Sequence, residues 1–143
     1  AGVIVTGTAD STEGPGWWKH QLSGSGSAQV DPATLAGYLE VVEAVSSVFS
    51  EAYAAGTFED AHSLLSPGGA TARDRAAAEL LVAWLQFASG AVASDATVPL
   101  GAGAGINFLD LMFSAEAAVL NPAASNAELG AVERDLAKVR HAG

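Results

Sequence analysis

A long and almost uninterrupted apolar stretch occupies residues 73–92, RDRAAAELLVAWLQFASGAV. After its first turn the polar side chains are mainly Glu79, Gln86 and Ser89, so no solvent-facing stripe runs along a helix built from it. A helix that is apolar nearly all round is one that other elements surround. The stretch therefore predicts a buried central helix.

Segments on both sides of this helix carry helical spacing of apolar residues together with capping residues. Asp31 and Pro32 form an N-cap and first-turn pair, and the apolar pattern that follows predicts a helix over about 32–54, ending before Gly56. The other predicted helices are a short one capped by Thr57, one that starts at Asn107 and ends near Asn121, and one that opens with Ser125 and Glu128 as a capping box.

Composition agrees with this helical pattern, because half of the residues are hydrophobic and only 7% are aromatic. The predicted fold is all-α, a compact helical bundle of four main helices plus short helices, with a short N-terminal extended segment. Residues 1–13 are expected to be this segment or a linker, and residues 14–143 a single helical domain. A Gly-rich loop over residues 94–105, with residues 97–100 extended inside it, is expected to be the longest unstructured connection.

The N-terminal segment contains Val3, Ile4 and Val5, which are all β-branched and favour a short strand. A single strand cannot form a sheet alone, and two interpretations stay open. It is the last strand of an upstream β domain, or it pairs with another chain and thereby drives self-assembly.

The charge of the chain limits its partners. Sixteen acidic residues against six Lys and Arg give a net charge of −10, which disfavours nucleic acid and anionic membrane surfaces. The longest strongly apolar run, Leu80–Leu85, is far shorter than the roughly 20 residues that span a bilayer, so no membrane insertion is expected. Cysteine is absent, which removes disulfides and thiolate chemistry.

The strongest candidate for a binding site is the cluster Trp17, Trp18, Lys19 and His20, which follows Gly14-Pro15-Gly16. Two tryptophans beside a cation can form a platform for sugars, aromatic ligands or peptides, or they can simply fill the core. Adjacent residues on a helix diverge by about 100°, so we expect one tryptophan to be buried and the other to be accessible.

The sequence offers no recognisable catalytic or metal-binding motif. His20, His62 and His141 lack the spacing of a ligand set, and the glycines at 101–105 lack the Lys of a phosphate loop. We therefore predict a protein that is not an enzyme and needs no metal or cofactor. Arg73 and Arg75 in the first turn of the central helix oppose its dipole, which predicts pairing with Asp74 or Glu79, or with a partner's carboxylate or a ligand.

The stretch Gly14–His20 resembles the Pro-Gly-aromatic-Trp-Lys-x-His signature that opens helical modules in modular secreted or surface-exposed bacterial proteins. Pro15 to Lys19 match it, and His20 follows Lys19 directly. The resemblance implies an extracellular or cell-surface location. The expected function is a non-catalytic module for assembly, attachment or domain packing, whose partner is a protein or another copy of the chain; the alternative is a module that binds carbohydrate, such as cell-wall glycan, or peptide through Trp17 and Trp18.

Overall fold

The computed structural model describes residues 12–23, 30–65, 71–101 and 103–142, and 68% of these residues are helical. The helices are α1 (Pro15–Leu22), α2 (Pro32–Val45), a π-helical turn (Val48–Ala52), α3 (Phe58–Leu64), α4 (Ala72–Ala88), α5 (Phe108–Leu120), α6 (Asn126–Ala137) and a 3-10 turn (Lys138–His141). Two short strands, β1 (Thr97–Gly101) and β2 (Ala104–Asn107), lie between α4 and α5. The helix-dominated fold is confirmed, and the small sheet is an addition to the predicted all-α bundle.

Helix α4 is the predicted central helix, and it contacts all five other α-helices. Its side chains Leu80, Leu81, Trp84 and Leu85 are each 1% exposed or less. It has 17 residues and begins at Thr71 with a complete capping box. None of the helices formed by the described residues is long and apolar enough to cross a membrane.

The predicted helix starts are confirmed by their caps. The side chains of Asp31, Thr57, Asn107 and Ser125 each accept a backbone N–H from the first turn of the helix that follows. These bonds satisfy donors that a helix start otherwise leaves unpaired. Short polar side chains next to apolar periodicity were therefore sufficient to place four helix starts.

The predicted continuous helix over 32–54 is wrong. Helix α2 ends at Val45, the backbone at Ser46 is extended with φ −105° and ψ 123°, and a π-helical turn follows. The Ser46 hydroxyl accepts the backbone N–H of Phe49 at 3.1 Å, as an N-cap would. The apolar spacing continues across this break, and for that reason periodicity alone did not reveal it.

The predicted Gly-rich loop over 94–105 is right only in part. Its extended residues 97–100 lie in β1, but an unstructured connection is wrong, because β2 pairs with β1 in an antiparallel hairpin. Val98 pairs with Ile106 across the two strands, and the register shifts between Pro99 and Gly101. Gly101 and Gly103 have φ values of 93° and 80°, which side-chain-bearing residues rarely adopt, and they allow the chain to reverse. The glycines that suggested disorder are the residues that form the turn.

Hydrogen bonds between side chains and the main chain attach the segment before α1 to the helical body. The buried Gln86 side chain on α4 accepts the N–H of Glu13 at 3.1 Å and donates to the Glu13 carbonyl. The Thr12 hydroxyl donates to the carbonyl of Arg140 at 2.7 Å. Residue 12 is therefore bonded to the C-terminal 3-10 turn and residue 13 to α4.

Basic residues at the C-terminal end have specific partners. The Lys138 ammonium donates to the carbonyl of Leu100 at 3.2 Å and joins the 3-10 turn to β1. The Arg140 guanidinium lies 3.3 Å from Glu79 on α4, and the two side chains are 29% and 16% exposed. These two tertiary contacts add to the favourable position of both cations near the negative end of the α6 dipole.

Burial raises the pKa of Glu79 above its ordinary value of 4.5, and the nearby Arg140 guanidinium offsets this only in part. A carboxyl whose pKa is higher in the folded state favours folding when protonated, and this contribution is lost as the pH rises through the folded-state pKa. We expect wild type to become less stable relative to Glu79→Gln between pH 4 and pH 7 in urea unfolding. Arg140→Gln should enlarge this trend, whereas the opposite trend in wild type would contradict the assignment.

Candidate functional site

The tryptophan pair lies on α1, which Pro15 opens at its first helical position. Trp18 is 1% exposed and belongs to the core, while Trp17 is only partly buried. Their rings meet edge to face, with centroids 4.8 Å apart and planes at 89°. One tryptophan is thus buried and the other accessible, as their adjacent positions on a helix predict.

Trp18, the buried tryptophan, contacts a second aromatic ring besides that of Trp17. The Trp18 ring also makes an edge contact with Tyr38 of α2, with centroids 6.3 Å apart. Its indole Nε1 is buried and finds no hydrogen-bond partner in the described part of the chain. Trp18 therefore joins α1 to α2 and offers no ring face to a ligand.

The four predicted binding residues do not share one face of α1. Successive helical residues turn by about 100°, so Trp17 to His20 are spread around the whole circumference. Trp17 and His20 are three residues apart and lie on the same side, where His20 is exposed and Trp17 is half-buried. Lys19 lies on a different side of the helix. An accessible surface at α1 would therefore consist of Trp17 and His20.

A groove of about 310 Å³ lies between the C-terminal end of α1 and helix α3. Its volume is at the lower end of the range of small-molecule sites. Two apolar side chains and four polar residues line it: Leu22, Phe58, Ser23, Glu59, His62 and Ser63. Neither Trp17 nor Trp18 is among the residues that line this groove.

Helix α5 carries an exposed apolar surface that the sequence analysis did not identify. Phe113 is 56% exposed and Leu120 is 37% exposed, and they are the exposed large hydrophobic residues of the described chain. Seven residues, or about two turns, separate them, so they lie on one face of the helix, with the exposed Ala117 between them. We refer to Phe113, Ala117 and Leu120 as the α5 face.

Opposite charges lie at the two ends of helix α5. Asp110 is exposed in the first turn of α5. At the other end, the Arg73 guanidinium donates to the carbonyls of Val119 and, at 3.0 Å, of Asn121. The expectation that Arg73 pairs with Asp74 or Glu79 is replaced by this capping contact, which places a cation at the negative end of the α5 dipole.

The second arginine of that prediction has a partner on another helix. Arg75 lies 3.6 Å from Glu133 of α6, with the two side chains 48% and 33% exposed. The pair is too exposed to contribute much to stability. Of the two arginines, Arg73 is therefore the one that contacts α5.

A buried carboxylate on the inner side of α5 was also missed. Glu116 is 5% exposed and accepts hydrogen bonds from the Trp84 indole at 2.9 Å, from the Ser47 N–H at 2.8 Å and from the Ser46 hydroxyl. Three donors from two other elements satisfy an acceptor that would otherwise be costly to bury. This network joins α5, α4 and the break after α2, and it is a structural site enclosed by protein.

The remaining predicted site residues lie elsewhere. Val3, Ile4 and Val5 fall outside the described residues. Within the described ranges, no group of three or more His, Asp or Glu side chains is placed to hold a metal ion. His141 lines an open depression of about 670 Å³ on the outer side of the hairpin, and His62 lines the groove beside α3.

Comparisons with protein-family models, with curated proteins and with solved structures find no match to this chain. The resemblance of Gly14–His20 to surface modules therefore stays a prediction.

Proposed function

We propose that this protein is a non-catalytic interaction module that binds another protein and serves in assembly, attachment or domain packing. The observation that carries the proposal is the α5 face, where Phe113 is 56% exposed and Leu120 37% exposed on a helix that the core holds in place. Apolar residues scattered singly on a surface need no explanation, but phenylalanine is enriched at protein interfaces, and here an exposed leucine lies on the same helix face.

The scaffold behind the α5 face supports this proposal. Phe108, Leu111 and Met112 on the inner side of α5 are buried, and Glu116 binds two neighbouring elements. A face that is held rigid loses little conformational entropy when it binds, which favours affinity. The extracellular or cell-surface location is proposed separately, from the sequence of Gly14–His20.

We expect a photo-crosslinking amino acid at position 113, in the protein produced in its native cells, to give a discrete covalent adduct with a protein. The matched control carries the same amino acid at position 36, which is also exposed on a helix, and should give no discrete adduct. Mass spectrometry then identifies the second component. Absence of any adduct at position 113 would overturn the proposal.

A second candidate function is binding of carbohydrate or peptide at α1. The observation that favours it is the partly exposed ring of Trp17 beside the exposed His20. Because Trp18 is buried, the accessible platform is one aromatic ring instead of two. A change in Trp fluorescence on titration with cell-wall glycan fragments, absent in Trp17→Phe, would favour this function over protein binding.

A further inference from the structure

We propose that the α5 face binds the α5 face of a second copy of this chain, with the two helices antiparallel about a two-fold axis. This inference rests on the proposed function and names the partner of the same surface. It requires that one face complement itself in shape and in charge, since a two-fold contact uses the same surface twice.

The shape requirement follows from the spacing of the apolar residues. In an antiparallel pair whose axis passes between positions 116 and 117, Phe113 of one copy lies opposite Leu120 of the other. The small side chain of Ala117 lies close to the axis and allows the two helices to approach. Both exposed large side chains are then covered by one contact.

The charge requirement follows from the two ends of the face. Asp110 near the N-terminal end of α5 would lie beside the C-terminal end of α5 in the second copy, where Arg73 is bound to the Asn121 carbonyl. The two-fold axis creates this opposite-charge pair twice. The antiparallel arrangement also places the positive end of each helix dipole next to the negative end of the other.

Net charge favours this face over others for self-association. Two copies that each carry a charge of −10 repel each other, so they associate best where acidic side chains are few. The exposed residues of α5 are Asp110, Phe113, Ser114, Ala117 and Leu120, and Asp110 is the acidic one. By contrast, α2 exposes Glu40 and Glu43.

The size of the contact sets its expected strength. A pair of 13-residue helices buries less area than the roughly 1,200 to 2,000 Å² of a stable protein interface. We therefore expect a weak dimer whose population rises with protein concentration. The experiments below distinguish the second copy from two alternative occupants, a different protein and residues 1–11 of the same chain.

Sedimentation velocity over a wide concentration range, up to millimolar protein, tests the inference. Wild type should convert from monomer to dimer, and Phe113→Asp should weaken the association by at least about 30-fold, as loss of a central contact residue does. The matched control Ala36→Asp adds the same charge at an exposed position of α2 and should dimerise like wild type. Circular dichroism verifies that each variant is folded.

The charge contact has its own readout. Asp110→Lys should weaken the dimer at low salt, because it places a lysine beside Arg73 of the second copy, and the effect should shrink at high salt. Wild type that stays monomeric at millimolar concentration, or a dimer that survives Phe113→Asp, would overturn the inference. A chain lacking residues 1–11 that dimerises where wild type does not would also overturn it, in favour of that segment as the occupant.

Failure of this inference is distinguishable from failure of the proposed function. A monomeric chain whose position 113 still crosslinks to a different protein in cells would retain the interaction module and remove the second copy as its partner. A monomeric chain that forms no adduct at position 113 would remove both.

Discussion

Replacing Glu116 with alanine is expected to lower the free energy of unfolding by about 3 to 5 kcal/mol. The change leaves the Trp84 indole, the Ser46 hydroxyl and the Ser47 N–H without their shared acceptor, in a region where Glu116 itself is only 5% exposed. Chemical denaturation followed by far-ultraviolet circular dichroism gives the difference directly. Because a small domain has about 5 to 15 kcal/mol in total, the variant should lose a large share of its stability.

Two controls separate this network from a general effect of removing a carboxylate. Glu40→Ala, at an exposed position of α2, should change the free energy of unfolding by less than about 0.5 kcal/mol. Trp84→Phe and Glu116→Gln should be non-additive in a double-mutant cycle, since the two side chains bond directly. If Glu116→Ala lowered the free energy of unfolding by less than about 1 kcal/mol, the network would contribute little to stability.

Trp18→Ala should be the other strongly destabilising change, with a loss of about 3 to 5 kcal/mol, because it empties a large buried volume between α1 and α2. The Trp18 ring is 1% exposed and contacts the rings of Trp17 and Tyr38. The adjacent Trp17→Ala should cost only about 1 to 2 kcal/mol, because Trp17 is partly exposed and mainly loses an edge contact. Thermal and urea unfolding of the two variants measure the difference.

The comparison between neighbouring tryptophans also tests their roles. Loss of the helical circular dichroism signal in both variants would make the pair purely structural. A folded Trp17→Ala variant with wild-type self-association would separate α1 from the contact that we propose on α5. Equal destabilisation by the two changes would contradict the burial of one ring and the exposure of the other.

Helix starts were the part of the fold that the sequence predicted best, because a helix cap depends on residues that are close together in the sequence. Thr57 and Asn107 bond N–H groups two or three residues away, so a short segment contains all the information needed. The break at Ser46 is different. It is stabilised by Glu116, which lies 70 residues further along the chain. The residues around Ser46 do not indicate a partner so distant in sequence.

The second strand of the hairpin and the α5 face were missed for related reasons. Ala104 and Gly105 have low strand propensity, and their pairing with β1 depends on contacts across the turn. Phe113 fits the apolar periodicity of α5, and periodicity alone does not distinguish it from the buried residues of that helix, although no other described element covers it. In the sequence, such a surface shows only as an apolar stripe that is wider than the side of the helix that becomes buried. How much of the stripe is buried can be judged only once the neighbouring helices have been placed.

The Trp cluster shows the opposite case, in which sequence reasoning found the residues but not their arrangement. Helical geometry alone predicts that one ring is buried and one is accessible. Which of the two is buried depends on the position of Tyr38 in α2, which the sequence did not reveal.

The contact between Gln86 and residue 13 has a consequence for sequence variation. Among the described residues, the Gln86 side-chain amide bonds the backbone N–H and carbonyl of Glu13, so it recognises a stretch of main chain whatever side chain is attached. Nearly any amino acid at position 13 can therefore preserve the attachment. Proline alone would remove the donated N–H, and Gln86 is the position at which substitution is restricted.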